Sequence, residues 1–515
     1  MDKAKEQFWE DIDSGELHIR DRLQFALKSD FFPQQGSTRN YYTQEFYLFV
    51  PGSLQINRTT YSSEQFYLDE TSLIRYKTPE FSFSELLDRH NEASPLTRVI
   101  LLCDKENTPE NGELLAEELK LMANVVRSTL RRESKQLIFL LQSARVVSTA
   151  SRDFITAINH LCDSHDQLRA TYAQAQNTFQ IKWKDPLFLR QFVYIDEFLS
   201  DVSIHYFTGI LENLRLTSHE HLMEADAALC KVLVNEVQRS NQDSIVHKNS
   251  NSDSTSALEG ENALYRANLL NKFVLDALLL VTNRHSLNQR FENWIGGISA
   301  GVAMLVYFTL YVWLWGIFVI NSEPFILLTV IIYVLKDRIK EGLRAASFQV
   351  AAKLFPDFTT VIQSTDQKRN LGVLKESFSF LTQTQVPQEI KEVRNAQFHA
   401  VLETFQRPES ILFYKRAVQI NTIAKPHDPR LSALNVIFRL NIYRFVRQAS
   451  DPIESHLTID PKTLKLKNVK LPKVYHLNLI IRSTSWTEDH TPKVELKKLR
   501  LIVDKNGIKR IDQLQ

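Results

Sequence analysis

His219-Glu220-His221, followed by Glu224, is the most metal-like set of side chains in the chain. A zinc-binding helix needs its histidines four residues apart, and a spacing of two sends these rings to different faces. Thr217 and Ser218 read instead as helix caps, with Glu220 completing a capping box. His160, Cys162, Asp163, His165 and Asp166 form a second set, without the spacing of a zinc family, and read as a helix end at the surface. An Asp beside a His, as in His427-Asp428, could orient an imidazole base. Both this pair and Asp451 sit among turn-forming prolines. The sequence therefore assigns no catalytic, cofactor-binding or metal-binding residue.

Composition narrows the classes further. The formal net charge is +2 over 515 residues, which argues against a chain-wide nucleic-acid binder. Thirteen glycines are few for this length, and phosphate-cradling loops depend on glycine. The three cysteines, Cys103, Cys162 and Cys230, are far apart and encode neither a disulfide framework nor a cysteine-rich metal site, as expected in a reducing compartment. The first residues lack the apolar stretch of an export signal, which places the region ahead of residue 295 in the cytosol.

The strongest pattern is apolar. Ile298–Ile320 carries no charge, and Phe325–Leu335 is a second, shorter apolar run beyond the polar Asn321-Ser322-Glu323-Pro324. About 20 apolar residues can cross a bilayer as helix. Arg284 and Arg290 precede the first run, and Lys336, Arg338, Lys340 and Arg344 follow the second, so the positive-inside rule puts both termini in the cytoplasm. The expectation is a two-helix transmembrane hairpin at 296–335, with a re-entrant dip as the alternative because the second run is short. Trp294, Lys336, Arg338, Lys340 and Arg344 would mark the membrane interface. Gly297 and Gly301 form a small-xxx-small pair suited to close helix packing, within the hairpin or between copies. Ser322, Glu323 and Pro324 suit a helix start, and the apolar stripe from Leu328 to Val350 continues that helix to about Leu354 as a basic, coiled-coil-like stalk over 336–355.

The remaining elements are read from periodicity. Residues 1–110 form an N-terminal α+β region: a helix and loop over 1–35, a strand at Tyr41–Val50, a Ser62/Gln65 cap before a helix over Phe66–Ile74, and a helix starting at Ser94-Pro95. A helical bundle spans 111–239, and a flexible linker poor in apolar residues spans 240–262. A juxtamembrane helix covers 263–295. A mixed region covers 356–450, with helices at Leu371–Leu381 and Glu389–Phe405 and a strand at Ile411–Ile420. A lysine-rich antiparallel β element fills 451–515, with Asp504-Lys505-Asn506-Gly507 as a hairpin turn. Its lysines are a solvated face that could also meet anionic headgroups. The fold class expected is mainly α within α+β: cytoplasmic helical regions on either side of the hairpin, plus a small C-terminal sheet.

The compositional style is that of a bacterial inner-membrane protein. The function expected is a membrane-anchored cytoplasmic scaffold that binds the bilayer and a protein partner or another copy of itself, without cofactor and without nucleic acid. A membrane-tethered enzyme and an oligomeric pore are the alternatives.

Overall fold

The computed structural model describes residues 17–32, 39–144, 148–216, 222–247, 256–286, 288–319, 322–354, 356–363, 370–396, 409–421, 433–459, 465–486 and 492–514. The chain divides into two compact units. One comprises Met1–Gly15, Ile74–Leu279 and Pro426–Asn435; the other comprises Glu16–Leu73, Leu280–Lys425 and Val436–Gln515.

The chain enters the second unit through β1 (Leu17–Asp21), β2 (Gln24–Phe31) and β3 (Arg39–Val50). The helix expected over 1–35 is therefore replaced by strands from Leu17 onward, and residues 1–16 lie outside the described residues. α1 (Ser63–Asp69) starts at the expected capping box: the Gln65 amide donates to Ser62 Oγ at 3.2 Å, and the Ser62 amide donates to Gln65 Oε1 at 3.0 Å. α1 gives way to strand β4 (Glu70–Tyr76), so the helix is shorter than its apolar pattern implies.

The helical unit follows. α2 (Phe83–Leu87) and α3 (Pro95–Cys103) lead into four long helices: α4 (Pro109–Ala144), α5 (Ser148–Lys182), α6 (Pro186–Arg215) and α7 (Met223–His247), then α8 (Ser256–Leu275). Proline in the first turn starts α3 and α6, where its missing N–H costs nothing. Asp185 caps α6 by accepting from the Leu187 amide at 2.8 Å. Leu119, Met122, Val126, Phe154, Phe192 and Val202 are among the fully buried side chains that form its core. The linker expected at 240–262 is corrected at both ends. α7 runs through His247 and α8 starts at Ser256, because helices this long carry a polar turn on packing elsewhere along their length.

The other unit then resumes with β5 (Val281–Ser286), which breaks the juxtamembrane helix expected over 263–295. α9 (Asn288–Ile317) and α10 (Glu323–Leu354) come next. They are followed by β6 (Phe358–Gln363), β7 (Asn370–Leu381), α11 (Gln388–Asn395), β8 (Ser410–Asn421), β9 (Leu434–Asn441), α12 (Tyr443–Val446) and five strands: β10 (Ile453–Ile459), β11 (Leu466–Pro472), β12 (Tyr475–Trp486), β13 (Pro492–Asp504) and β14 (Gly507–Leu514). Eight of the strands form one antiparallel sheet in the order β14-β13-β12-β3-β8-β7-β6-β5, and β1-β2-β9-β4 form a second. β3 lies inside the large sheet, paired along its whole length with β8 and along most of it with β12.

The mainly helical fold class with a small C-terminal sheet is thus overturned. The large sheet recruits residues from 39 to 514, and pairing between strands hundreds of residues apart leaves no mark in local periodicity. Leu371–Leu381, expected as helix, is β7: Leu374, Glu376 and Phe378 alternate inward, the period of a strand. One face of the sheet carries an aromatic core that includes Phe46, Phe66, Phe378, Tyr414 and Phe438. The other carries Tyr47, Phe49, Ile390, Ile411 and Ile480, partly beneath α11. The expected Asp504–Gly507 turn joins β13 to β14, with Gly507 at φ +120°, where an added Cβ would sit 1.9 Å from the Arg22 carbonyl oxygen.

Candidate membrane-contact site

β5 and β6 are adjacent antiparallel strands, with Ser286 opposite Phe358 and Val281 opposite Gln363. The 71 residues between Ser286 and Phe358 therefore leave the sheet and return to the same edge of it. Most of this excursion is α9 and α10, packed antiparallel. The Tyr311 ring lies 5.9 Å from Phe325 and the Tyr307 ring 6.4 Å from Tyr333, while Leu314, Phe325 and Ile332 are buried between the helices.

The remainder of their apolar surface faces outward. Among the described residues, ten large apolar side chains on α9 and seven on α10 are exposed, including Trp294 at 74%, Leu305 at 68% and Leu327 at 62%. Isolated exposed apolar residues are ordinary, but a contiguous surface on this scale marks a contact with lipid or protein. Each such side chain left in water forgoes about 1.5–3 kcal/mol of burial.

Among the described residues one helical stretch is long and apolar enough to span a bilayer: Trp294–Ile317, most of which is not buried. The two-helix transmembrane hairpin is therefore corrected. α10 is apolar only until Lys336 and then carries Asp337, Arg338, Lys340 and Glu341 while remaining helical. From Glu323 to Lys336 is about 20 Å of helix, against a hydrocarbon core of about 30 Å.

The five interface residues expected from sequence fall on this pair. Lys336 Nζ sits 3.9 Å from the Tyr333 ring centre and 5.9 Å from that of Tyr307, level with the middle of α9. Arg338 pairs with Glu341 at 3.3 Å, and Lys340 and Arg344 are exposed. Trp294 is exposed near the start of α9. Gly297 and Gly301 do not pack against α10, since a Cβ added at either would meet nothing within 4 Å.

The sequence's chemical candidates do not assemble. His219, Glu220, His221, His427 and Asp428 lie outside the described residues. Glu224 accepts from Asn159 Nδ2 at 3.3 Å, and Asp451 pairs with Lys505 at 2.8 Å. The second His/Cys/Asp set lies in the interior of α5 rather than at a helix end; His160, Asp163 and Asp166 are exposed, while Cys162 and His165 are buried on the opposite side. Burial pushes the Cys162 thiol up to about 12, with help from Asp166 and Asp163, which makes it unreactive. No group of three or more His, Cys, Asp or Glu is placed to hold a metal among the described residues.

Two buried ionic networks escaped the sequence reading. In the helical unit, Arg169 on α5 donates to Glu236 of α7 through Nε and Nη2, both at 3.0 Å, to Asp196 at 2.8 Å and to Ser200 at 2.8 Å, the last two on α6. His165 Nε2 lies 2.9 Å from Ser203 Oγ, which resembles a nucleophile–base pair, but both residues are sealed from solvent. In the sheet, Glu376 accepts from Tyr414 Oη at 2.6 Å and meets Arg284 at 3.1 Å, while Glu70 lies 3.7 Å from Arg284 and accepts from Ser72 at 2.6 Å. Burial, and then the neighbouring Glu376, raise the Glu70 carboxyl to about 7. Arg284 also lies over the Phe358 ring, 4.2 Å from its centre, and so clamps β5 at the foot of the excursion. Strand parity could have flagged Arg416 and Glu376, since each falls on the inward set of its strand. A cavity of about 20 Å³ near Phe25, Phe46 and Phe438 is lined by apolar groups and offers no polar partner even to a water.

No family model, curated protein or solved structure matches this chain.

Proposed function

We propose that this protein is a membrane-associated, non-catalytic organiser that holds its folded units against the cytoplasmic face of a bilayer through the α9–α10 excursion. The observation that carries this reading is the β5–β6 pairing. Strands joined in register lie on one side of a membrane, so the excursion must return to the side it left. A single crossing by α9 alone is incompatible with that ladder. α10 lacks a second span, so the pair dips in from one face and returns. The immersed depth runs from the Glu323 end to the basic level at Lys336, about 20 Å, where lysine can snorkel to the headgroups. The sealed carboxylates of both networks, Glu236 in one and Glu70 and Glu376 in the other, favour an organising role over an enzymatic one.

The test is fractionation followed by labelling. The full chain should float with vesicles and resist a salt wash. In a Cys230→Ser background, with Cys103 and Cys162 buried, a Glu323→Cys variant should resist an impermeant thiol reagent added from the far side. Monodisperse recovery without detergent would refute the anchoring. Far-side labelling at 323 would refute the one-sided return.

A further inference from the structure

Outside the excursion, the least covered element is the β10–β11 ribbon. It is a two-stranded sheet of its own, hydrogen-bonded to no other strand among the described residues. Isolated two-stranded ribbons are marginal in water and need a covering surface. All seven residues of β10 are exposed, and β11 is exposed except at Val469. The register places Ile453, Leu457 and Ile459 on one face with Leu466 and Pro472 of the opposing strand. Apolar character concentrates at the far end, where Leu457 is 68% and Leu466 73% exposed beside Ile459. At the foot, the Lys473 amide donates to the Pro452 carbonyl at 2.9 Å, and Lys473 Nζ neutralises Glu454 at 3.2 Å. Glu454 is the one carboxylate on the two strands. Lys465, Lys467 and Lys470 remain exposed, with no ion pair among the described residues.

We propose that this ribbon is a second membrane contact, selective for anionic lipid. Leu457, Ile459 and Leu466 enter the headgroup–acyl boundary, where Lys470 on the same face meets lipid phosphates and carboxylates, while Lys465 and Lys467 on the reverse face add to the local positive field. Charge chooses the occupant. A protein strand could cover the apolar end, but exposed lysines on both faces of the ribbon, Lys470 beside Leu457 and Lys465 and Lys467 on the reverse, fit a dense anionic surface, which polybasic segments recognise. Lysine stems also cover apolar area while their heads stay wet. The proposal extends the membrane reading above and can fail separately from it.

The experiment uses the full-length Cys230→Ser chain reconstituted in vesicles of phosphatidylcholine, with or without phosphatidylserine. An environment-sensitive fluorophore is placed at Leu457→Cys or, separately, at Leu327→Cys on α10. The label at 327 should report an apolar environment in both lipids. The label at 457 should do so only with phosphatidylserine, and should revert in high salt. Lys470→Gln, on the apolar face, should weaken the phosphatidylserine-dependent signal about fivefold, and Lys467→Gln, on the reverse face, by less. A water-like signal at 457 in both lipids, with 327 in lipid, overturns the ribbon contact and leaves the anchor standing. Water-like signals at both positions overturn the anchor as well. A shift at 457 in detergent without lipid also overturns the proposal, because a protein surface then covers the ribbon.

Discussion

Arg169 in the helical unit and Arg416 in the sheet are both sealed from water, yet their surroundings serve them differently. Arg169 uses all three guanidinium nitrogens, and Asp196 and Glu236 hold its pKa above the usual value against the opposing effect of burial. Arg416 donates through Nε to Gln44 at 2.7 Å and through Nη2 to Ser29 at 3.4 Å, and its Nη1 has no hydrogen-bond partner among the described residues. Its guanidinium lies over the Phe46 ring, 5.1 Å from the centre, and burial lowers its pKa. Glu376 is its cross-strand neighbour, but that carboxylate turns to Tyr414 and Arg284. Three helices can rotate acceptors toward one cation. A strand register fixes which residues meet, and leaves one cation sharing a face with aromatic rings. Breaking a satisfied buried pair should therefore cost more than removing a poorly satisfied charge.

The largest expected effect is at Glu236. Glu236→Ala leaves Arg169 buried with only Asp196 as counter-charge and should destabilise the protein by about 3–5 kcal/mol, read from the urea midpoint. Arg416→Met should cost less, about 1–2 kcal/mol, since it removes an incompletely bonded charge; equal losses at the two sites would erase the contrast.

Glu70 sharpens it through pH. Its folded-state pKa is raised from 4.5 to about 7, so the fold binds this proton more tightly than the unfolded chain does. The resulting stability is fully present below pH 4.5 and is lost as pH rises through 7. Relative to Glu70→Gln, the wild type should gain about 2–3 kcal/mol between pH 8 and pH 4.5. Matching pH profiles for the two proteins would show that Glu70 does not titrate in that window.

The smallest effect belongs to the exposed helix pair. Gly297→Ala with Gly301→Ala adds Cβ atoms that meet nothing within 4 Å and should change thermal stability by no more than about 1 kcal/mol per site, in the stabilising direction. A fall in detergent-solubilised mass would instead make the glycine pair a contact between copies.

Local signals were readable where the structure is local. The Ser62/Gln65 box, the proline opening α3, the strand at Tyr41–Val50 and the turn at Gly507 each depend on neighbours a few residues away. The apolar excursion and its basic end were readable for the same reason. What escaped depends on partners far along the chain. Asn370–Leu381 is a strand because β6 and β8 flank it. Arg169 meets Glu236 across 67 residues, and Arg284 reaches Glu70 across 214. Such pairs leave only a faint trace, a lone charge on the inward stripe of an otherwise apolar element. Cys162 and His165 drew notice as chemistry when their positions on α5 made them core.

The place of β3 in the large sheet has a consequence for synthesis. Both of its neighbours lie downstream, the nearer beginning at Ser410, about 360 residues after Val50. At ribosomal rates of about 5–20 residues per second, β3 spends about 20–70 s with both edges open. The helical unit can consolidate during that interval, while the greasy segment at 294–317 is already emerging. Capture of that segment by lipid before β6 is made would set where the waiting strand finally finds its partners.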